Sequence, residues 1–128
     1  MILLDTHAFI WLVSSPDKLS ETARTAITKN SSLLHLSIVS AWEISLLCRK
    51  NRLCLPLSPE QFVEEAVEHL HLIEIPLTRK TVQHSVKLPP IHNDPFDHVL
   101  IAECQLNNLS LISADKFICE YPDIDVIW

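Results

Sequence analysis

The chain contains no glycine at any of its 128 positions, although average usage of about 7% would place about nine in a chain of this length. Loops that cradle phosphates and turns that present a nucleophile depend on the backbone freedom of glycine. Its absence excludes a P-loop, a G-x-G-x-x-G dinucleotide fingerprint and a G-x-S-x-G hydrolase elbow. Three large classes of nucleotide-binding and hydrolytic proteins are therefore ruled out.

The chain is acidic, and it has enough apolar residues to form one hydrophobic core. Lys and Arg number 10 against 16 Asp and Glu, a formal net charge of −6, which argues against broad electrostatic attraction to nucleic acid or to an anionic membrane. Apolar residues make up 48% of the chain, and no linker or repeat divides it, so we expect one domain over residues 1–128. Any contact with nucleic acid has to be local.

The start of the chain and its cysteines both indicate a cytoplasmic protein. The opening MILLDTHAFIWLV has no basic segment and is interrupted by Asp5 and His7, so it predicts neither a secretory signal nor a membrane span. The cysteines form no C-x-x-C pair, and we expect buried thiols rather than disulfides. They are Cys48, Cys54, Cys104 and Cys119.

Short apolar runs alternate with segments of helical periodicity, which predicts an α/β fold. The predicted strands cover residues 1–4, 33–37, 72–75, 109–113 and 124–127. The predicted helices cover residues 6–12, 20–29, 38–50, 59–70, 78–87 and 95–106. Apolar strands separated by helices favour a parallel sheet buried on both faces, joined by right-handed crossovers.

Polar residues mark the helix ends where glycine is missing. Ser58-Pro59 and Asp94-Pro95 each combine an N-cap residue with proline at the first helical position. Asn30, Asn51 and the pair 107–108 follow helical stretches, and asparagine is the next choice after glycine for a left-handed C-terminal residue.

Two acids follow predicted strands directly. Asp5 ends the first apolar run, and Asp115 follows the fourth after a single alanine. Open α/β sheets bind ligands at the carboxyl ends of their strands, so both acids are candidate site residues. The structural alternative is that Asp5 only caps the helix that follows it.

Glu43 lies on an apolar stripe of its predicted helix. Its neighbours at i−4, i+3 and i+4 are Val39, Leu46 and Leu47, so the carboxylate points inward. Burying an unpaired carboxylate costs several kcal/mol, so Glu43 must be protonated, bind a cation or pair with an arginine such as Arg49 or Arg79. The adjacent Trp42 is expected in the core.

Asp94 and Asp97 bracket a predicted helix start. Asp94 suits the N-cap. Asp97 either complements the helix dipole or, because Leu100 and Ile101 lie at i+3 and i+4, faces inward. Convergence of Asp5, Glu43, Asp97 and Asp115 would require protonation or cations, since like charges about 4 Å apart cost about 4 kcal/mol per pair at an effective dielectric near 20.

An all-oxygen cluster of this kind selects Mg²⁺ or Mn²⁺ rather than zinc. Such ions polarise phosphodiesters and activate water, which favours phosphodiester hydrolysis. The alternatives are a metal-dependent phosphatase or DNA nuclease that uses the same acids, and a non-catalytic protein-binding module in which the acids are caps and ion pairs.

Four motifs in this order resemble the PIN-domain ribonucleases, close to the VapC-type toxins of type II toxin–antitoxin modules. They are D-T-H-A-F-I-W at 5–11, S-x-x-S-A-W-E-I at 37–44, H-x-D-P-F-D at 92–97 and L-I-S-A-D at 111–115. The resemblance covers nearly the whole chain. It implies a three-layer α/β/α domain with a central parallel sheet of about five strands, and Mg²⁺- or Mn²⁺-dependent endonucleolytic cleavage of single-stranded RNA.

The resemblance also implies site residues and partners. Asp5, Glu43, Asp97 and Asp115 fall on the family's catalytic, metal-binding quartet, with Asp94, Thr6 and Ser113 as secondary candidates. A toxin of this kind implies a cognate antitoxin, an RNA substrate and a homodimer.

The chain departs from similar toxins where they frequently carry arginine on either side of the D-P-F-D core. Asn93 and His98 occupy those positions, which removes two possible phosphate contacts. His98 itself, or the basic cluster Arg49, Lys50 and Arg52, could contact the substrate instead. The structural alternative for that cluster is a solvated helix end that complements the helix dipole.

Overall fold

The computed structural model describes residues 1–128 and contains every predicted strand and helix, with bounds that differ from the predicted ones by no more than two residues. The strands are β1 (Ile2–Leu4), β2 (Leu34–Ser37), β3 (Ile73–Ile75), β4 (Ser110–Ile112) and β5 (Asp125–Ile127). The helices are α1 (Thr6–Ser14), α2 (Glu21–Lys29), α3 (Ile38–Arg49), α4 (Pro59–Leu70), α5 (Arg79–Val86) and α6 (Pro95–Asn107). Two 3₁₀ helices cover Pro16–Lys18 and Ile118–Glu120.

The five strands form one parallel sheet in the order β3-β2-β1-β4-β5. The chain adds β2 and β3 on one side of β1 and then returns to place β4 on the other side. Strand order therefore reverses between β1 and β4, and the carboxyl ends of the strands at such a switch point form a crevice. The topology places Asp5 and Asp115 at this crevice.

Successive side chains of β1 point to opposite faces of the sheet and enter two different hydrophobic clusters, as expected for a strand covered on both faces. Ile2 and Leu4 belong to a cluster with side chains of α1, α2, α3 and α4, whereas Leu3 belongs to a second cluster with α6. Helices thus pack on both faces, and the predicted three-layer α/β/α architecture is confirmed.

The expectation that all strands are buried on both faces is wrong for the two edges. Ile73 in β3 is 43% exposed, and Asp125 in β5 is also exposed. Each edge strand has a neighbour on one side only, so the helices cover it incompletely.

The predicted caps form at the helix N-termini. The backbone N–H of Gln61 donates to Ser58 Oγ over 3.2 Å, and that of Phe96 donates to Asp94 Oδ1 over 2.9 Å. Asn51 and Asn108 adopt left-handed backbone with φ of 56° and 53°.

The left-handed expectation is wrong for Asn30, whose φ is −116°. Its side-chain Nδ2 donates to the Ala26 carbonyl over 2.8 Å, so this helix end is capped without a left-handed residue. His71 adopts φ 51° after α4, a position where the sequence offered neither Gly nor Asn.

The four thiols are free, but only Cys104 is fully buried; Cys54 and Cys119 are exposed, which corrects the expectation of buried thiols. None of the helices is long and apolar enough to cross a membrane.

Candidate active site

A cleft of about 290 Å³ lies at the carboxyl ends of β1 and β4. It receives side chains from the end of β1, the second turn of α3, the first turn of α6 and the segment after β4. The lining residues are Asp5, Thr6, His7, Trp11, Glu43, His92, Asp94, Asp97, Ala114 and Asp115. The four acids of the predicted quartet therefore line one cleft.

Asp5 combines the two roles that the sequence left open. Its Oδ1 accepts a 2.7 Å hydrogen bond from the backbone N–H of Ala8, so it caps α1. The same side chain lines the cleft with 7% exposure. Burial raises the pKa of Asp5, and this effect is opposed chiefly by the hydroxyl of Ser113. Capping and participation in the site are compatible because the cap uses one carboxylate oxygen.

Glu43 is a buried acid with an unpartnered oxygen. It is 9% exposed, and its Oε1 has no hydrogen-bond partner. Neither Arg49 nor Arg79 pairs with it; both are exposed, and the only ion-pair contacts in the structure involve His92. Burial raises the pKa of the Glu43 carboxyl above its ordinary value. A buried orphan carboxylate oxygen is the kind of atom that a cation would satisfy.

Trp42 is not a core residue, contrary to expectation. Its side chain is 56% exposed and packs edge-on against Phe96, with ring centroids 5.1 Å apart. Successive helical residues are rotated by about 100°, so the turn that directs Glu43 inward leaves Trp42 at the surface.

Asp97 is a partly buried acid that faces several other carboxylates of the cleft. Burial, followed by repulsion from Asp94, Asp5, Glu43 and Asp115, raises its pKa to about 8. Without a cation, Asp97 is therefore mostly protonated at neutral pH. This agrees with the expectation that the converging acids require protonation or cations.

His92 is the site residue that sequence analysis missed. Its Nε2 lies 2.7 Å from Oδ2 of Asp115 and 3.2 Å from Oδ2 of Asp97. The only available signal was its position in the H-x-D-P-F-D motif, because Asp115 is 23 residues away in sequence.

A backbone hydrogen bond determines which nitrogen of His92 carries the proton. The N–H of Asp94 donates to Nδ1 of His92 over 3.1 Å, so Nδ1 is an acceptor and the proton resides on Nε2. Nε2–H therefore donates to Oδ2 of Asp115, and Oδ2 of Asp97 lies near the same nitrogen. Although this nitrogen and oxygens of Asp97 and Asp115 lie within 4.8 Å of one another, His92 serves here as a donor that orients carboxylates rather than as a metal ligand.

The secondary candidates surround the acids. Thr6 Oγ1 donates to the fully buried Ser40 Oγ over 3.0 Å. Ser113 Oγ accepts from the backbone N–H of Asp115 over 3.1 Å. Asp94 caps α6 and lines the cleft. These contacts hold the loops that carry the quartet.

The basic candidates lie outside the cleft lining. Arg49, Lys50 and Arg52 are exposed at the end of α3, and Arg49 lies about 9 Å along the helix axis from Glu43. His98 Nε2 donates to the backbone carbonyl of His92, and its ring packs edge-on against Tyr121. The His98 ring thus contributes to holding the segment that presents His92.

The donor set fits a hard divalent cation. The cleft offers carboxylate oxygens from four separate elements, including the unpartnered Oε1 of Glu43. Oxygen ligands of this kind suit Mg²⁺ and Mn²⁺. A cation would also relieve the mutual repulsion that raises the pKa of Asp97.

Comparison with known proteins agrees with this architecture. The sequence matches the PIN domain family over residues 2–124. The chain therefore belongs to the PIN domain family, as the four motifs predict. No curated protein matches the sequence.

Solved structures with a similar fold include two VapBC assemblies and one toxin–antitoxin complex. A DNA-bound VapBC from Salmonella typhimurium is 16% identical, with a TM-score of 0.70 over 98% of this chain and 95% of that one. A toxin–antitoxin complex from Klebsiella pneumoniae is 21% identical, with a TM-score of 0.69 over 97% and 95%. VapBC2 from Rickettsia felis, bound to a promoter DNA fragment, is 14% identical. Its TM-score is 0.71, and the match covers 98% of this chain and 97% of that one. At these identities the likeness establishes the shared fold.

Proposed function

We propose that this protein is a Mg²⁺- or Mn²⁺-dependent endoribonuclease and the toxin of a type II toxin–antitoxin pair. The observation that carries the proposal is the unpartnered, buried Oε1 of Glu43 in a cleft shared with Asp5, Asp97 and Asp115. Membership of the PIN domain family and the similarity to toxin–antitoxin structures support it. The proposed catalytic unit is the single domain formed by residues 1–128.

Asp5, Glu43, Asp97 and Asp115 would hold the metal. When bound, the ion would supply Lewis-acid polarisation of the phosphodiester, activation of water and stabilisation of charge on the leaving oxygen. Asp97 would hold the ion as a carboxylate, with its proton released to solvent. His92 keeps Asp115 oriented through Nε2–H, and Asp5 remains fixed by its bond to Ala8.

The proposed partners follow from the same neighbours. Those structures contain toxins with antitoxins, and we propose a cognate antitoxin and a homodimeric working state for this chain. RNA as substrate and the cytoplasm as the site of action complete the proposal. A test of the partner is co-expression with the neighbouring reading frame; absence of both a complex and suppression of activity would contradict it.

The nuclease proposal is tested by cleavage of a panel of structured RNAs with Mg²⁺, Mn²⁺ or EDTA. Single-stranded DNA, double-stranded DNA and a phosphomonoester serve as alternative substrates. The variant Asp97→Asn removes a cleft carboxylate, and Asp17→Asn makes the same change at an exposed acid in the first 3₁₀ helix. We expect metal-dependent RNA cleavage by the wild type and by Asp17→Asn, and none by folded Asp97→Asn.

Other outcomes contradict the proposal in distinguishable ways. Cleavage of DNA or of the monoester alone would assign the acids to a different hydrolase. Indifference to metal together with no hydrolysis of any substrate would favour a binding module. Substantial metal-dependent RNA cleavage by folded Asp97→Asn would contradict the site assignment.

A further inference from the structure

Phe117 is a large apolar side chain at the surface beside the acidic cleft. It is 57% exposed and follows Asp115 by two residues. Its ring lies edge-on to the ring of His92, with centroids 5.7 Å apart and an interplanar angle of 69°. One edge of the ring therefore rests on a cleft residue while much of its surface remains open to solvent.

The backbone around Phe117 is tied to the cleft and to the core. The N–H of Phe117 donates to Oδ1 of Asp115 over 2.8 Å, and the next residue, Ile118, is fully buried. The same Asp115 uses Oδ2 to accept from His92. These contacts fix the position of the exposed Phe117 ring relative to Asp115 and the cleft.

The lining of the cleft has acids and two histidines but no lysine or arginine. A polyanionic substrate held there gains no lysine or arginine contact from the lining, and the net charge of −6 opposes its approach. Stacking of bases on aromatic rings is an uncharged means of binding, and it is available only to bases that are not paired in a duplex.

We infer that Phe117 is a stacking platform for an unpaired RNA base next to the scissile phosphate. This inference rests on the proposed ribonuclease function and assigns the side chain that would contact the base beside the cut. Phe117 is a specificity-determining residue in this scheme, because a base in a continuous duplex cannot reach its ring without being unstacked.

The experiment combines ring substitution with removal of single bases from the substrate. An RNA cleaved by the wild type is prepared in versions that each carry one abasic nucleotide near the cut. Cleavage is measured for the wild type, Phe117→Leu, Phe117→Tyr and Val86→Ala. Val86 is 81% exposed on α5 and lies outside the cleft lining, so it controls for loss of exposed apolar surface.

We expect Phe117→Leu to raise KM by about tenfold with little change in kcat, and Phe117→Tyr and Val86→Ala to resemble the wild type. One of the RNAs with an abasic nucleotide should raise the KM of the wild type by a similar factor. The same RNA should not raise the KM of Phe117→Leu any further. Such non-additivity identifies the base that the ring contacts.

An unchanged KM in folded Phe117→Leu, or equal sensitivity of both proteins to every abasic position, would overturn the stacking role and leave the ribonuclease intact. Weakened association with a partner protein at unchanged KM would assign the ring to that interface and likewise overturn it. Absence of metal-dependent RNA cleavage by the wild type would overturn both proposals.

Discussion

The Nε2 atom of His92 lies 2.7 Å from Oδ2 of Asp115, while the Nδ1 atom of the same ring accepts from the backbone of Asp94. These two bonds make His92 a fixed donor toward an acid that precedes the second 3₁₀ helix. They connect the segment leading into α6 with the segment following β4. The position of Asp115 relative to the start of α6, which carries Asp97, therefore depends on a histidine.

Replacement of His92 by alanine is expected to lower metal affinity or cleavage by about 10- to 100-fold, the range observed when partners that orient metal ligands are removed. His92→Gln, which retains a side-chain N–H, should lose less. The measurement is the Mn²⁺ concentration that gives half-maximal RNA cleavage. A His92→Ala protein with the wild-type metal requirement and the wild-type rate would show that the donor has no role.

Asp97→Asn is expected to stabilise the metal-free protein above neutral pH. The pKa of Asp97 rises from an ordinary 3.8 to about 8 in the folded state, so the unfolded chain releases this proton more readily. The contribution of Asp97 to stability therefore becomes less favourable as pH increases from about 4 through 8. Asparagine removes that ionisation.

Thermal unfolding at pH 8 with EDTA and with excess Mn²⁺ tests this prediction. The wild type should melt at a lower temperature than Asp97→Asn in EDTA and gain stability from Mn²⁺, whereas the variant should gain much less. Equal stabilisation of both proteins by Mn²⁺ would argue that Asp97 is not a ligand.

Two substitutions of Asp5 separate its structural role from its chemical role. Asp5→Asn keeps an acceptor for the N–H of Ala8, while Asp5→Ala loses the cap and about 1 kcal/mol of unfolding free energy. Both should abolish metal-dependent cleavage. Ser20→Ala removes the corresponding cap of α2, where Ser20 Oγ accepts from Ala23, and should lower stability while activity remains.

Denaturant unfolding and RNA cleavage assays on the same preparations check these expectations. Retention of cleavage by Asp5→Asn would mean that Asp5 is only a cap. Loss of cleavage by folded Ser20→Ala would mean that helix capping alone explains the effect of Asp5 substitutions.

Glu103 lies outside the cleft, and its ionisation makes the stability of the protein depend on pH. It is fully buried in α6, with Oε1 accepting from Ser37 Oγ over 2.9 Å and Oε2 unpartnered. Burial raises its pKa from 4.5 to about 7. In the unfolded chain the Glu103 carboxyl loses its proton at a lower pH than in the folded protein. The free energy of unfolding therefore falls by about 3 kcal/mol as the pH rises from about 4.5 to 7.

Glu103→Gln should remove this dependence and retain an acceptor for Ser37. The difference in unfolding free energy between the variant and the wild type should grow in favour of the variant as pH rises from 4.5 to 8, and then remain constant. A difference that is flat across this range would contradict the buried ionisation.

Local patterns in the sequence predict most of the secondary structure and four of the acids that line the cleft. Apolar runs of strand length and helical periodicity, with capping residues such as Ser58 and Asp94, predict the five strands and the six α-helices because these signals act over a few residues. The inward position of Glu43 follows from its neighbours at helical spacing, since helix geometry alone decides which side chains share a face.

Local patterns fail where the outcome depends on what packs nearby. The edge position of β3 decides that Ile73 is partly exposed, and the side-chain bond of Asn30 to Ala26 replaces the expected left-handed cap. Trp42 is 56% exposed although Phe96 of α6 packs edge-on against it, and the extent of this cover depends on α6 as well as on α3.

Periodicity and functional-group type along the chain are enough to predict the α/β class, the acids at the strand ends and the cations that those acids favour. The meeting of Asp5, Glu43, Asp97 and Asp115 in one cleft, with His92 beside Asp97 and Asp115, depends instead on how the whole chain folds. The reversal of strand order beside β1 brings these distant segments together. Their burial and mutual repulsion then set the pKa of Asp97, which no local pattern contains.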